Sequence, residues 1–223
     1  MSNPVALAVG RLREPVNGLT HLGGALLSIV GIVLLVGVAA ERGTAWHVWS
    51  FAIFGASLLL MYATSALYHS LPLSEAGVRA LKRVDHMAIF VLIAGTYTPF
   101  CLGPLRDGIG WPLLAGVWAI AALGVLFKIF WIHAPRWLST GVYLAMGWLS
   151  VVAIGPLIQA LPTAGVVWMA VGGALYSVGA LVYAFKWPNP WPRRLGFHEI
   201  WHLFVIAGSF CHFWTVYRHV VAA

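Results

Sequence analysis

The run THLGGALLSIVGIVLLVGVAA, residues 20–40, decides the fold of this chain. It holds no Asp, Glu, Lys or Arg. As an α-helix rising 1.5 Å per residue it would extend about 32 Å, and the hydrocarbon core of a bilayer is roughly 30 Å thick. The whole composition agrees with that first run. Of 223 residues, 61% are hydrophobic and 9% charged, with a mean hydropathy of +0.88. A soluble domain carries roughly 25% charged residues. The solvent of this chain is therefore expected to be lipid, with residues 1–223 forming a single membrane domain.

Outward from the first run, six more stretches are long and apolar enough to cross: residues 46–69, 85–102, 109–131, 137–158, 164–186 and 196–219. The expected fold is all-α, a seven-transmembrane-helix bundle. Pro104, Pro112, Pro135, Pro162, Pro188, Pro190 and Pro192 fall in or beside the connections, where proline starts or ends helices. Arg11 and Arg13 precede the first run, but that run is too long for a signal peptide. Cys101 and Cys211 show no paired spacing and are expected to be plain apolar residues rather than a disulfide.

The basic residues alternate along the chain. Arg11 and Arg13 lie before the first span, Arg42 alone after it, and Arg79, Lys82 and Arg83 after the second. Arg106 is alone after the third, Lys128 and Arg136 flank the next connection, and none separates spans five and six. Lys186, Arg193 and Arg194 precede the last span. The positive-inside rule then puts the N-terminus in the cytoplasm and the C-terminus outside, in a cell (inner) membrane. The net charge of +7 reads as this orientation signal and as affinity for anionic lipid, not as a nucleic-acid footprint. Trp46, Trp49, Trp111, Trp131, Trp137, Trp187 and Trp191 fall at span ends, as an interfacial belt should.

With orientation assigned, the polar residues share one depth. Ser65 and His69 sit at the inner end of span two, Asp85 and His86 at that of span three, and His198, Glu199 and His202 at that of span seven. Glu14, Asn17 and His21 open span one. The outer halves offer little comparable apart from His212. Ionisable groups within a span cost several kcal/mol unless paired or ligated. His198 and His202 form an H-E-x-x-H string, and residues four apart on a helix share a face and reach one metal ion. With His69 they make three nitrogen ligands, and a water in the fourth position would complete an open, catalytic-type zinc site.

Asp85 is expected to bond the water and take its proton, and Ser65, four residues before His69, to orient water or ligand. Asp85 ranks ahead of Glu199 as the base; Glu199 is equally suited to facing Arg193 or Arg194. Each residue also has a plainer reading. Ser65 would bond back to the Met61 carbonyl, Asp85 would cap its helix, and Glu14, Asn17 and His21 would tie span one to its neighbours. His86 and the Thr96-to-Pro99 stretch would do likewise for span three. His47, His133 and His219 are expected to do nothing specific.

Four segments carry a resemblance: Glu14 to His21 (EPVNGLTH), Ser65 to His69 (SALYH), Asp85 to Phe90 (DHMAIF) and His198 to His202 (HEIWH). Together, and in this order, they resemble the hemolysin III family, the bacterial branch of the progestin and adiponectin receptor (PAQR) superfamily. The resemblance covers nearly the whole chain. It implies seven helices with the N-terminus inside and Zn2+ held by the histidines at 69, 198 and 202. It also implies that Asp85 contacts the metal through water, with Ser65 close by. Relatives include alkaline ceramidases, which hydrolyse a lipid amide.

Three functions follow as expectations. The first is a zinc-dependent intramembrane hydrolase of a lipid amide or ester, with membrane lipids as its partners. The second is a lipid sensor or regulator of membrane state in which zinc is structural. The third is a hemolysin-like pore, which would need polar groups across the full membrane. An intramembrane metalloprotease is set aside, because no Asp or Glu follows His202 to act as its third ligand.

Overall fold

The computed structural model describes residues 12–192 and 195–222. Its elements are α1 (Pro15–Arg42), α2 (Ala45–Ser70), α3 (Glu75–Leu102), α4 (Gly110–Phe130), α5 (Arg136–Trp148), a 3-10 turn (Leu149–Ala153), α6 (Ile154–Ala160), α7 (Thr163–Phe185) and α8 (Phe197–Thr215), which ends in a π turn (Val216–Val220). Among the described residues, seven helical segments are long and apolar enough to cross a membrane; α5, the 3-10 turn and α6 together make the fifth.

The first helix shows how the chain solves packing in lipid. Its buried positions include Asn17, His21, Gly24, Ser28, Gly31 and Leu35, which recur every three or four residues. Small and polar groups therefore face the bundle, while Leu22, Leu27 and Val33 face outward. Lipid tails are as apolar as leucine, so close approach and hydrogen bonds hold such helices together rather than apolar burial. Gly24 shows the close approach: a Cβ there would stand 2.7 Å from the Tyr62 ring of α2.

Two expected spans differ in outline. The third helix begins at Glu75 rather than at residue 85. Its extra turns are polar and are made by other means. The Ser74 hydroxyl accepts from the Gly77 amide at 3.3 Å, and Glu75 pairs with Arg79 at 3.3 Å, one turn on. Apolar length gives the membrane-crossing part of a helix, not the whole helix. The fifth span is broken, with Pro156 one turn beyond the break. Proline lacks an amide hydrogen and its ring crowds the carbonyl four residues back, here that of Val152. Carbonyls left over at the break find the Tyr97 hydroxyl, which donates towards Met146 O at 2.9 Å and Gly147 O at 2.6 Å. That hydrogen bonding across helices is the role expected of the Thr96-to-Pro99 stretch.

Two apolar clusters fill the bundle. One, with Leu35, Phe51, Phe54 and Val216, joins α1 and α2 to the end of α8. The other, with Phe90, Val117, Ala121 and Met146, joins α3, α4 and α5. Cys101 and Cys211 are buried and free, as expected. Because the spans alternate in direction, one end of the bundle gathers Arg13, Arg79, Lys82, Arg83, Lys128, Arg136 and Lys186, and the other has Arg42, Arg106 and Arg218. Arg11, Arg193 and Arg194 lie outside the described residues.

Candidate metal centre

The basic end of the bundle carries the site. His69 is in the last turn of α2, and His198 and His202 are in the first two turns of α8. Helical pitch puts the latter pair on one face, with ring centroids 4.8 Å apart. His69 completes a nearly equilateral triangle, 5.0 Å from each. One ring nitrogen from each histidine lies within 4.8 Å of the others, close enough to share an ion. Of the proposed ligands, His69 and His202 are almost completely buried and His198 is half-buried.

The hydrogen bonding tests whether a metal fits. The His69 Nε2 and His202 Nδ1 atoms are buried with no hydrogen-bond partner. Such atoms cost on the order of 1–3 kcal/mol each when left unsatisfied, and a cation held between them removes that cost. The other nitrogen of His69, Nδ1, stands 2.7 Å from the Glu14 Oε2. If Nδ1 donates its proton to this carboxylate, Nε2 is left as a lone pair. Metal-binding histidines are commonly fixed in this way, by a carboxylate on the far nitrogen. The donor set of three imidazoles suits zinc, copper, iron and nickel.

Glu14 reaches His69 because the chain before α1 is fastened to the end of α2. The Glu14 amide donates to His69 O at 2.9 Å and the Arg13 amide to Ser70 O at 3.4 Å. Arg13 also lies over the Tyr68 ring at 4.3 Å and 3.3 Å from the Glu14 carboxylate. Burial works to raise the Glu14 carboxyl, but the His69 hydrogen bond, the charge of Arg13 and the Asn17 amide overcome it and hold the group below the ordinary carboxylate range, down to about 2.

The rest of the α1 stripe meets the same site. Asn17 Nδ2 donates to Glu14 Oε2 at 3.1 Å and to Glu199 Oε1 at 2.8 Å. His21 stacks on His202, centroids 3.6 Å apart and planes 11° from parallel. The expected interhelical ties of Glu14, Asn17 and His21 are present, but the residues they tie are the metal-site residues and their neighbours. The signal was the shared face at 14, 17 and 21; which helix that face meets was not in it.

Asp85 is buried on α3, 3.7 Å from His86 Nδ1. It lines one cavity with Ser65, His198 and His202. Ser65 is buried too, and the Met61 carbonyl proposed as its partner accepts from Thr64 at 3.1 Å. Glu199 is engaged at the start of its own helix. Its Oε1 accepts from Asn17 and its Oε2 from the Gly196 amide at 2.8 Å, so it closes the N-terminus of α8. Its alternative partners, Arg193 and Arg194, lie outside the described residues. His47, expected to be idle, accepts from the Thr44 amide at 3.1 Å and caps α2. Deeper in the bundle Tyr62 and Tyr176 both meet Ser209 Oγ at 2.8 Å, and His212 stacks on Tyr176. The polar groups thus reach further from the basic end than the sequence suggested, in a local network rather than a stripe.

The chain is similar along most of its length to known proteins. The model of haemolysin-III related proteins matches residues 9–213. The chain is 46% identical over 209 residues to the hemolysin-3 homolog of Bacillus subtilis (strain 168), covering 93% of this chain and 94% of that protein. It is 42% identical over 208 residues to hemolysin-3 of Bacillus cereus, covering 93% and 92%. A more distant similarity, 25% over 219 residues, joins it to the adiponectin receptor protein of Drosophila melanogaster, covering 87% of this chain and 49% of that one.

Proposed function

The chain belongs to the haemolysin-III related family, within the superfamily that includes the adiponectin receptors, and from that premise we propose that it is a zinc-dependent intramembrane hydrolase of a lipid amide or ester. One observation carries the reading. Two buried, unpartnered imidazole nitrogens belong to a histidine triangle, and two of its members open on a cavity that also holds a buried aspartate. When bound, zinc would supply a Lewis acid that polarises a carbonyl and makes a water nucleophilic near neutral pH.

The chain's own residues do the rest. His69, His198 and His202 would hold the ion, and Glu14 keeps the His69 ring in one orientation. Asp85 takes a proton at a carboxylate oxygen from the attacking water and returns it to the leaving nitrogen or oxygen. Ser65 orients the water from α2. The apolar walls of the cavity take the acyl chain and keep bulk water from the scissile bond. The positive-inside rule assigns the basic end to the cytoplasm, so the reaction belongs to the inner leaflet of the cell membrane.

The test is release of fatty acid from defined amide- and ester-linked lipids by purified, zinc-loaded protein in lipid. Asp85→Asn should lower release by about 10²–10⁴-fold with one metal still bound per chain. Equal release by the variant would remove Asp85 from the chemistry. A second reading has support in the origin of the ligands: His69 comes from one span and His198 and His202 from another, so a bound ion would also clamp α2 to α8. If chelation lowers the unfolding temperature and zinc-loaded wild type releases nothing from any lipid, the clamp is the whole function.

A further inference from the structure

The cavity beside the histidines has a volume of about 700 Å³, within the roughly 300–1,000 Å³ of ligand pockets. Its lining follows α3 from Lys82 to Phe100, an axial length of about 27 Å at helical rise. That nearly matches the hydrocarbon thickness of a bilayer, roughly 30 Å. A space this long, walled by residues such as Ile89, Leu92, Ile93 and Leu144, suits an extended chain.

Its polar end carries excess positive charge. Lys82, Lys128 and Arg136 all line it. The Lys128 side chain comes from α4 and is only 1% exposed. Its ammonium has three donors and one hydrogen-bond partner, Ser139 Oγ at 2.5 Å, with the Phe127 ring 5.1 Å away. The Arg136 guanidinium lies over the rings of Tyr183 and Phe197, at 4.7 and 5.1 Å. Its hydrogen bond to Tyr183 O is long, 3.5 Å.

Among the described residues none of these three cations pairs with a carboxylate. All six Asp and Glu residues of the chain are described. Asp85, the acidic residue of the cavity lining, has His86 beside it. A buried charge without a counterion costs several kcal/mol. Retaining Lys128 at the polar end of this cavity therefore calls for an anion that arrives with the ligand.

We propose that the cavity takes an acyl-chain lipid with an anionic headgroup, whose phosphate or carboxylate oxygens are held by Lys128, Lys82 and Arg136. This rests on the reading of the cavity as the lipid site and names the class of lipid. Arg136 is suited to two oxygens at once and Lys128 acts as a point charge. The acyl chain lies along α3, and the headgroup end lies beside Asp85 and the histidines.

The experiment measures binding, not turnover, so it stands apart from the hydrolase. Purified full-length protein in neutral detergent, with and without zinc, is titrated with phosphatidylglycerol and with diacylglycerol of the same chains, which has no phosphate. The expected result is a preference of about tenfold or more for phosphatidylglycerol, in both metal states. Lys128→Met should bring the preference close to one while leaving diacylglycerol affinity unchanged. Lys82→Gln, at a less buried position, should reduce it in part. Inorganic phosphate alone at the same concentrations should produce no stabilisation.

Equal affinity for the two lipids in wild type overturns the proposal without recourse to any variant. So does a preference that survives in both Lys128→Met and Lys82→Gln. Phosphate alone matching phosphatidylglycerol would make this an ion site and overturn the lipid assignment. A clear preference with no fatty acid release would sink the hydrolase and keep this site; release without preference would do the reverse.

Discussion

Replacing Glu14 by glutamine should weaken metal binding about tenfold while leaving the metal-free fold nearly as stable. The carboxylate oxygen stands 2.7 Å from His69 Nδ1. A hydrogen bond to a charged group contributes roughly 1.5–3 kcal/mol. The Glu14 side chain is 39% exposed, so water screening reduces this to about 1–1.5 kcal/mol. Each 1.4 kcal/mol is a factor of about ten in affinity, at the lower end of the roughly 10–100-fold cost of losing such a partner. Glutamine keeps a carbonyl oxygen to accept from Nδ1, so the metal-free unfolding temperature should move little.

The assay is competition of purified protein with a zinc chelator of known affinity, with His69→Ala alongside. Acidity gives a second check. The Glu14 carboxyl is held down to about 2, below its unfolded value. It therefore stays ionised between about pH 5 and 8, and its contribution is lost only as pH falls below the ordinary carboxylate range towards 2. The ratio between wild type and Glu14→Gln should be flat between those limits. An unchanged affinity in Glu14→Gln would refute the orienting role. A loss as complete as in His69→Ala would make Glu14 a ligand in its own right.

Two further substitutions separate chemistry from architecture. Glu199→Ala removes the cap on the Gly196 amide and the Asn17 contact, so it should destabilise the protein by about 1–2 kcal/mol in thermal unfolding; if it instead lowers fatty acid release a hundredfold in a fully folded, zinc-loaded protein, Glu199 and not Asp85 is the base. Tyr97→Phe leaves the Met146 and Gly147 carbonyls at the break in span five without their shared donor, which should cost about 1–3 kcal/mol with metal content unchanged; no loss of stability would mean that lipid or water satisfies those carbonyls.

The seven spans were legible because a bilayer imposes a length and a composition on each of them, and the run at residues 20–40 meets both. The helix ends were less so. The polar start of α3 obeys capping rules, not hydropathy, and the break at Trp148 depends on Pro156 together with Tyr97 from another helix. Within the site, His198 and His202 could be paired because one helix's pitch sets their spacing. His69 joined them through a shared depth. The roles of Glu14, Asn17 and Glu199 could not be assigned from pattern, since each is decided by which neighbour stands opposite. Glu199 was prominent only because it lies between two ligands, yet its two oxygens are spent on Asn17 and Gly196.

The triangle of histidines therefore depends on a helix that contributes no histidine to it, α1. The spacing of His198 and His202 is intrinsic to α8, whereas the distance from α8 to His69 must be set by what lies beside them. That is the buried face of α1. His21 fills the space against His202, and Gly24 lets Tyr62 of α2 come close enough to reach Ser209 of α8. Asn17 bridges Glu14, which holds His69, to Glu199, which caps the helix of the other two ligands. Metal-ligating side chains have to be held within about half an ångström of working geometry. On this chain that constraint would fall on a small, polar stripe inside its first helix, where Gly24 leaves no room for a side chain beside Tyr62.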